Sequence, residues 1–539
     1  MSNITTAAIF SDHIVIQQNR KTAVFGESDS KISITAALYD SKGTCLTSNT
    51  TESHEGKWIV YLEPLKAQTG CTLEISSGTH KITFKDIAIG EVWLAGGQSN
   101  MEFELQNCTE GPEELKSADA GKNVRFYYTN KIAWKDNAFF EAEKNTRWQT
   151  WESESKKAWS AVGYFFAKKL AEDLGCTVGI IGCNWGGTSA SAWMRKEFLE
   201  KDEELKSYLT EQEQAVKGKT IEQQIKEFDE YEIENNKWQE KYAVLWNENH
   251  NITWEEAELK LGKNPWPGPK SCKNPYRPTG LYDCMLSRII PYTIKGVLWY
   301  QGESDDHKPQ MYYKLFRSLI ENWRTDWHDE DLPFIFVQLP VHRYKADKDF
   351  KHWCLIREAQ ARVSRTLKNT WLTSAFDSGD FSDIHPKGKK TVAQRMELNA
   401  AAHIYNIIPS ELADAPIFKD ALFIHKEGTR GKAVLVFENA DKGFELREDN
   451  KRLEEYKSME ENQNSPVPEN FTGFELAGDD GIFYPAVFEF STEPSKKNII
   501  ILSSDKVEKP YSARYGWYNY GPVTIYGKNG IPLCPFRTE

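Results

Sequence analysis

No stretch of this chain approaches the ~18 consecutive apolar residues of a membrane span. Its opening residues, Met1-Ser2-Asn3-Ile4-Thr5-Thr6, lack the basic region followed by an apolar core that marks a secretory leader. The expectations are therefore a cytoplasmic location and no membrane partner. Positive charge is in short supply. Against 79 Asp and Glu stand 67 Lys and Arg, a formal net charge of −12. Nucleic acids and anionic surfaces select basic patches, so neither is expected as a partner. The nine cysteines, at positions 45, 71, 108, 176, 183, 272, 284, 354 and 534, are odd in number, scattered and free of any C-x-x-C. That pattern favours buried free thiols over a disulfide framework or a redox motif. The eleven histidines show neither H-E-x-x-H nor H-x-H spacing. No metal site and no cofactor are expected. No internal repeat is present.

What the chain has is length, aromatics and a changing rhythm. Its 539 residues suffice for two to four domains, and 13% aromatics with 40% hydrophobic residues can build sizeable cores. Residues 1–88 read as a β domain. Lys31–Ala36 and Lys57–Leu62 alternate, Thr72–Ile75 and Lys81–Phe84 follow, and polar turns lie between. Residues 89–410 alternate strand and helix. Strands are predicted at 91–95, 123–128, 177–181, 295–300, 333–338 and 370–376, and helices at 160–174, 310–326, 353–367 and 387–405. That rhythm predicts a mostly parallel α/β sheet flanked by helices, with sites at the carboxyl ends of strands. The segment 197–262 interrupts it. Phe228, Tyr231, Trp238, Tyr242 and Leu245 recur there at helical spacing, predicting an inserted helical hairpin, either a solvated decoration or a wall over the cleft. Pro265-Trp266-Pro267-Gly268-Pro269 reads as an irregular, semi-rigid connector. Residues 411–539 return to strands, with 450–470 expected as a loop.

The stretch that carries chemistry is Gly97-Gln98-Ser99-Asn100-Met101. It follows the apolar run Ile87–Ala95, and Gly96-Gly97 permits a sharp turn. A serine there stands exposed at the carboxyl end of a strand with backbone N–H groups beside it, which is what a nucleophile and its oxyanion need. An ordinary Gly-Ser turn is the bland alternative. Two more segments support the chemical reading. Lys295–Tyr300 is a second apolar strand, ending in Gln301-Gly302-Glu303-Ser304, and Asp383-Ile384-His385-Pro386 precedes a predicted helix. Proline suits a first helical turn. Ser, Asp and His make up the inventory of a serine hydrolase. The order Ser…Asp…His is that of α/β-hydrolases, but Met101 stands where their G-x-S-x-G elbow has its second glycine.

These residues resemble the sialate O-acetylesterase-like branch of the SGNH hydrolases, a group of carbohydrate esterases. The likeness begins at Ile9–Gln17 and continues through Gly90-Glu91-Val92-Trp93, GQSNM and Asn184-Trp185-Gly186-Gly187-Thr188. It goes on through Tyr300–Ser304 and Asp383–Pro386, and ends at Ala513–Trp517 and Pro535-Phe536-Arg537. It implies an SGNH-hydrolase-like, flavodoxin-type parallel sheet flanked by helices, with N- and C-terminal β-sandwich or jelly-roll regions. It also implies that Ser99 is the nucleophile, His385 the general base and Asp383 the acid that holds the imidazole. The oxyanion hole would use the Ser99 N–H, Gly186 or Gly187 N–H, and the Gln301 side-chain amide. Asp383 stands two residues before His385 rather than the superfamily's three, where Ser382 is found. Glu303, Asp377 or a main-chain carbonyl therefore remain alternatives for orienting the ring. Asp305 stands where relatives often have Asn.

The 18 tryptophans allow stacking on sugars. Trp185, Asn100, Trp193 and Arg195 are the substrate-binding candidates, with Arg343 as a second arginine able to meet a carboxylate. The reading is a carbohydrate O-acetylesterase with a small-molecule substrate, leaning to acetylated xylan-type oligosaccharides because the motifs carry little positive charge. O-acetylated sialic acid is the alternative. A non-catalytic glycan-binding protein and an esterase for longer acyl groups are the remoter ones.

Overall fold

Alternating apolar and polar residues fold the start of the chain into antiparallel ladders. In Lys57–Leu62, Trp58, Val60 and Leu62 turn inward, and the strand pairs with Thr22–Ser28 and, beyond it, Ile4–Thr6. A second ladder runs through Cys45–Glu52, Ser33–Tyr39 and Gln68–Ser77 to His80–Gly97. The structure is a computed structural model that describes residues 4–249, 252, 254–344, 348–425, 430–459 and 467–538. The chain divides into two compact units. The first comprises Met1–Ser304 and Lys314–Phe334, the second Asp305–Tyr313 and Ile335–Glu539.

The strand His80–Gly97 spans the boundary expected at 88/89. Its first seven residues are partly or fully exposed, and everything from Ile87 onward is buried. The change has a physical cause. From Glu91 the strand is paired in parallel with Val178–Asn184, and from Trp93 with Gly296–Tyr300 on its other edge. Val124–Tyr128 extends the sheet beyond Val178–Asn184. A parallel strand covered on both faces must be apolar throughout rather than alternating. The helix Ala161–Leu174 belongs to this unit. Ser160 Oγ caps it by accepting from the Gly163 N–H at 3.0 Å, and Gly175, with φ 64°, ends it in the left-handed region.

The inserted segment is more divided than the expected hairpin. It holds Lys196–Glu200, Lys206–Ala215, Ile221–Glu248 and Trp254–Leu261. A capping box at Thr220 and Gln223 starts the long helix afresh, which is what splits the segment. Its apolar stripe closes a small core of Trp238, Ile252 and Ala257, with Tyr242 and Leu245 packed against it.

The strand Phe334–Gln338, which from Ile335 onward belongs to the second unit, is a hydrogen-bonded neighbour of Thr370–Ser374. The helices His352–Thr366 and Lys389–His403 belong to the same unit. Toward the C-terminus one sheet orders Ile417–Ile424, Lys432–Glu438, Ile499–Ser503 and Val487–Phe490. Another orders Phe483–Pro485, Phe474–Ala477, Ser512–Tyr515 and Phe536–Arg537. Leu435, Phe437, Phe474, Leu476, Ile500, Leu502 and Tyr515 form their core, which takes in Val341 and Phe376. Within the expected loop 450–470 a helix forms at Asn450–Lys457, anchored by buried Leu453, while residues 460–466 lie outside the described residues. All nine cysteines are free, and eight are buried. Among the described residues no helix is long and apolar enough to cross a membrane.

Gly97 closes the central strand with φ 133°, and a Cβ there would stand 2.1 Å from the Tyr300 carbonyl oxygen. Gly97→Ala is expected to destabilise the protein by about 1–3 kcal/mol or more, because the neighbour is backbone and cannot rotate away. A denaturant midpoint equal to wild type would refute this.

Candidate active site

The corner after Gly97 is built by its neighbours. Gln98 is the N-cap of a short helical turn, Ser99–Glu102, and its carbonyl accepts from the Met101 and Glu102 N–H groups, both at 2.9 Å. Ser99 is thus the first residue of the turn, where backbone N–H groups point outward. It is half-buried, between Gln98 and Asn100, which are buried. The Gln98 N–H donates to the Tyr300 carbonyl at 3.0 Å, and its Oε1 accepts from the Ser304 N–H at 3.1 Å. Asn100 Nδ2 donates to Glu303 Oε1 at 2.6 Å. Both flanks of Ser99 are therefore tied to the loop after Gly296–Tyr300. Asn100 is 0% exposed, and this contact braces the corner. Glu303 is its partner, buried in the first unit.

A second loop lies alongside. The Trp185 N–H donates to the Gly97 carbonyl at 3.1 Å, and Asn184 Nδ2 to the Ala95 carbonyl at 3.0 Å. A Cβ on Gly186 would stand 3.2 Å from Ser99 Cβ, so this loop passes close to the serine. The Gly186 N–H donates to Glu102 Oε2 at 2.6 Å. Its one proton is engaged there, whereas the next glycine of the expected oxyanion pair is Gly187. Glu102 also pairs with Lys131. Sequence reading passed over Glu102, although it directly follows GQSNM. Gln301 is wholly buried, with Nε2 donating to the Thr188 carbonyl at 3.1 Å.

Two of the expected sugar contacts, Trp193 and Arg195, are engaged within the protein. Trp193 is 0% exposed, and its Nε1 donates to Thr188 Oγ1 at 3.0 Å. Arg195 pairs with Asp326 at 3.1 Å and lies over the Phe198 ring at 5.1 Å. Trp185 remains half-buried at the strand's carboxyl end.

His385 stands in the second unit. Asp383 Oδ1 accepts from the backbone N–H of His385 at 2.9 Å, an Asx turn that fixes the segment presenting the ring. The Ser382 N–H donates to the Arg343 carbonyl at 3.0 Å, with Ser382 at φ 63°. Gly379 approaches the Val341 carbonyl so closely that a Cβ would lie 1.7 Å from its oxygen. His342, 3% exposed, holds Nδ1 3.3 Å from the Asp380 carbonyl. A carbonyl can only accept, so Nδ1 carries the proton. The helix begins at Lys389, three residues after Pro386, so the proline ends the turn rather than opening the helix. Asp377 is taken by Arg395 in a two-pronged pair of 2.6 and 2.8 Å. Burial would raise its carboxyl, but the Arg395 hydrogen bonds and charge outweigh this and hold it below the usual range. Arg343 is buried, with Nη1 on Met459 Sδ at 3.2 Å, and Asp305 is wholly buried.

A half-buried serine beside backbone amides is equipped to form an acyl-enzyme. The sequence profile of the family described as "Carbohydrate esterase, sialic acid-specific acetylesterase" matches residues 89–258 and 268–401. The chain belongs to this family. It is 26% identical to a sialate O-acetylesterase of Mus musculus, over 74% of this chain and 73% of that protein. To the Homo sapiens sialate O-acetylesterase it is 25% identical, over 74% and 71%. A solved carbohydrate acetylesterase from Xanthomonas citri aligns over 100% of both chains at 25% identity, with a TM-score of 0.72. The esterase is a carboxylic-ester hydrolase with a mixed α/β fold and additional C-terminal sheets.

Burial, and then the charge of Lys389, press the His385 ring down to about 4. Burial does the same to His342, also to about 4, although the Asp380 and Asp383 carbonyls pull it up. Between the ordinary value of 6.5 and 4 the unfolded esterase binds these protons more readily than the folded one. Their contribution to stability is thus complete above 6.5 and is withdrawn as pH falls through that window to 4. Imidazole NMR signals of both rings should stay neutral at pH 5.5. Titration of both near 6.5 would show that the rings are solvated.

Proposed function

We propose that this esterase removes acetyl groups from O-acetylated saccharides through an acyl-enzyme on Ser99. The observation that carries the reading is the Ser99 corner, a half-buried hydroxyl at the first residue of a helical turn, braced on both sides by buried polar contacts. Ser99 Oγ attacks the acetyl carbonyl and gives its proton to His385. The tetrahedral oxyanion is met by the Ser99 and Gly187 N–H groups and by the Gln301 side-chain amide, each worth about 3–4 kcal/mol in the transition state. Collapse expels the sugar oxygen, which takes the proton from His385. Water then attacks the acetyl-serine with His385 again as base, acetate leaves, and Ser99 Oγ is restored. Burial keeps His385 neutral, the form in which a base accepts a proton. Asp383 orders the turn that carries the ring through the His385 backbone.

Acetylated neutral oligosaccharides of the xylan type are the substrates we favour. In support, Arg195, the arginine nearest the site motifs in sequence, is already engaged by Asp326. A sialate carboxylate calls for an arginine fork. The second reading, O-acetylated sialic acid, is favoured by the names of the curated relatives. Acetate release from acetylated xylo-, manno- and sialo-saccharides decides between them.

Ser99→Ala should fold normally and lose acetate release, retaining only the ~10³–10⁴-fold acceleration over water that binding and the oxyanion hole supply. Near-normal turnover of an aryl acetate by this variant would overturn the reading. The acid limb of kcat/KM should fall near 4, the value to which burial presses His385. Asp383→Asn should be impaired less than His385→Ala, because an amide oxygen still accepts the turn's hydrogen bond whereas the base has no substitute. Equal losses in the two would show that Asp383 acts on the ring itself.

A further inference from the structure

The segment Pro265–Pro269, which reads in sequence as a mere connector, carries Trp266. Among the described residues seven tryptophans, Trp93 to Trp323 along the sequence, are fully buried, whereas Trp266 is 49% exposed. Single exposed aromatics need no explanation when they are loosely placed. This one is held from three sides. Its backbone N–H donates to Oδ1 of buried Asn264 at 2.8 Å. Buried Asn274 donates to the carbonyls of Pro267 and Pro269 at 3.2 and 2.9 Å, which fixes the turn that follows. The Tyr276 ring stands edge-on to the indole at 5.6 Å and 78°.

Its location gives the feature meaning. A Cβ on Gly187 would lie 3.2 Å from Trp266 Cζ2, just as one on Gly186 would lie 3.2 Å from Ser99 Cβ. The two glycines are consecutive, so the indole stands no more than about 13 Å from Ser99 Cβ by standard backbone dimensions. Trp266 lies between the two stretches, 89–258 and 268–401, that the family profile matches.

We propose that Trp266 is the sugar platform of this esterase, stacking on the C–H face of a pyranose in the saccharide whose acetyl ester sits at Ser99. This rests on the carbohydrate-esterase reading. An aromatic face is electron-rich and apolar, and so complements the slightly positive axial C–H groups of an uncharged pyranose. Because the loop is already fixed, little ordering is required on binding. Trp266 is a specificity determinant and takes no part in bond making.

The test compares acetylated xylo-oligosaccharide with vinyl acetate, an ester that has no ring. Trp266→Ala should lower the ratio of kcat/KM for the saccharide over vinyl acetate by about fivefold or more, with the loss in KM. Trp266→Leu, which keeps apolar bulk against the loop but has no π-face, should lose as much. A smaller fall in either folded variant, or a fall carried by kcat alone, overturns the proposal. A wild-type enzyme that hydrolyses vinyl acetate but no acetylated saccharide would instead overturn the carbohydrate reading, and would do so before any variant is made.

Discussion

The first unit depends on one strand changing its surroundings midway. His80–Gly97 begins as a member of an antiparallel ladder with one face in solvent and ends as an inner strand of a parallel sheet. Only an apolar run can occupy the second half, and only a residue without a side chain can end it where Gly97 presses on the Tyr300 backbone. The same contact brings the loops after Gly97 and Tyr300 side by side. It is what lets Gln98 reach the Ser304 amide and Asn100 reach Glu303. The serine is therefore placed by the sheet, not by its own short helix.

The polar groups around Ser99 show how such a corner is made stiff. A charged carboxylate makes the stronger hydrogen bonds and so can tie one loop to another. Glu303 accepts from Asn100, and Glu102 accepts from the Gly186 amide while pairing with Lys131. Each of these contacts fixes one loop against another, and together they surround a hydroxyl that must be held within about 0.5 Å of its working position. In the second unit the device is different. Close backbone approach at Gly379, a left-handed Ser382 and an Asx turn at Asp383 shape the segment that ends in His385.

The framework was legible because periodicity and glycine placement are local. The strands ending at Gly97, Asn184 and Tyr300 and the helix 160–174 lie within a few residues of their predicted bounds, apart from the early start of His80–Gly97. The identity of the group that a polar side chain meets is not local. Asn100, Trp193 and Arg195 read as substrate contacts because they neighbour motifs, and the structure pairs them with Glu303, Thr188 and Asp326, from 5 to 203 residues away. The Gly186 amide is lost to a carboxylate 84 positions earlier. The helix 450–457 escaped notice because one buried leucine anchors an otherwise polar turn. Trp266 was hidden by its prolines, which signal a connector whether or not the connector carries a ring.

The distribution of thiols gives this protein a built-in reporter. Cys45 lies exposed on the strand Cys45–Glu52, whereas the other eight cysteines are buried. Burial lifts Cys71, Cys176 and Cys354 to about 11 and Cys183 and Cys534 to about 12, so almost none of these is thiolate at neutral pH. A maleimide dye added to the native chain therefore marks a single position, remote in sequence from Ser99 and His385. The number of sulfurs that react rises from one toward nine as the units open, so the stoichiometry of labelling serves as a measure of unfolding.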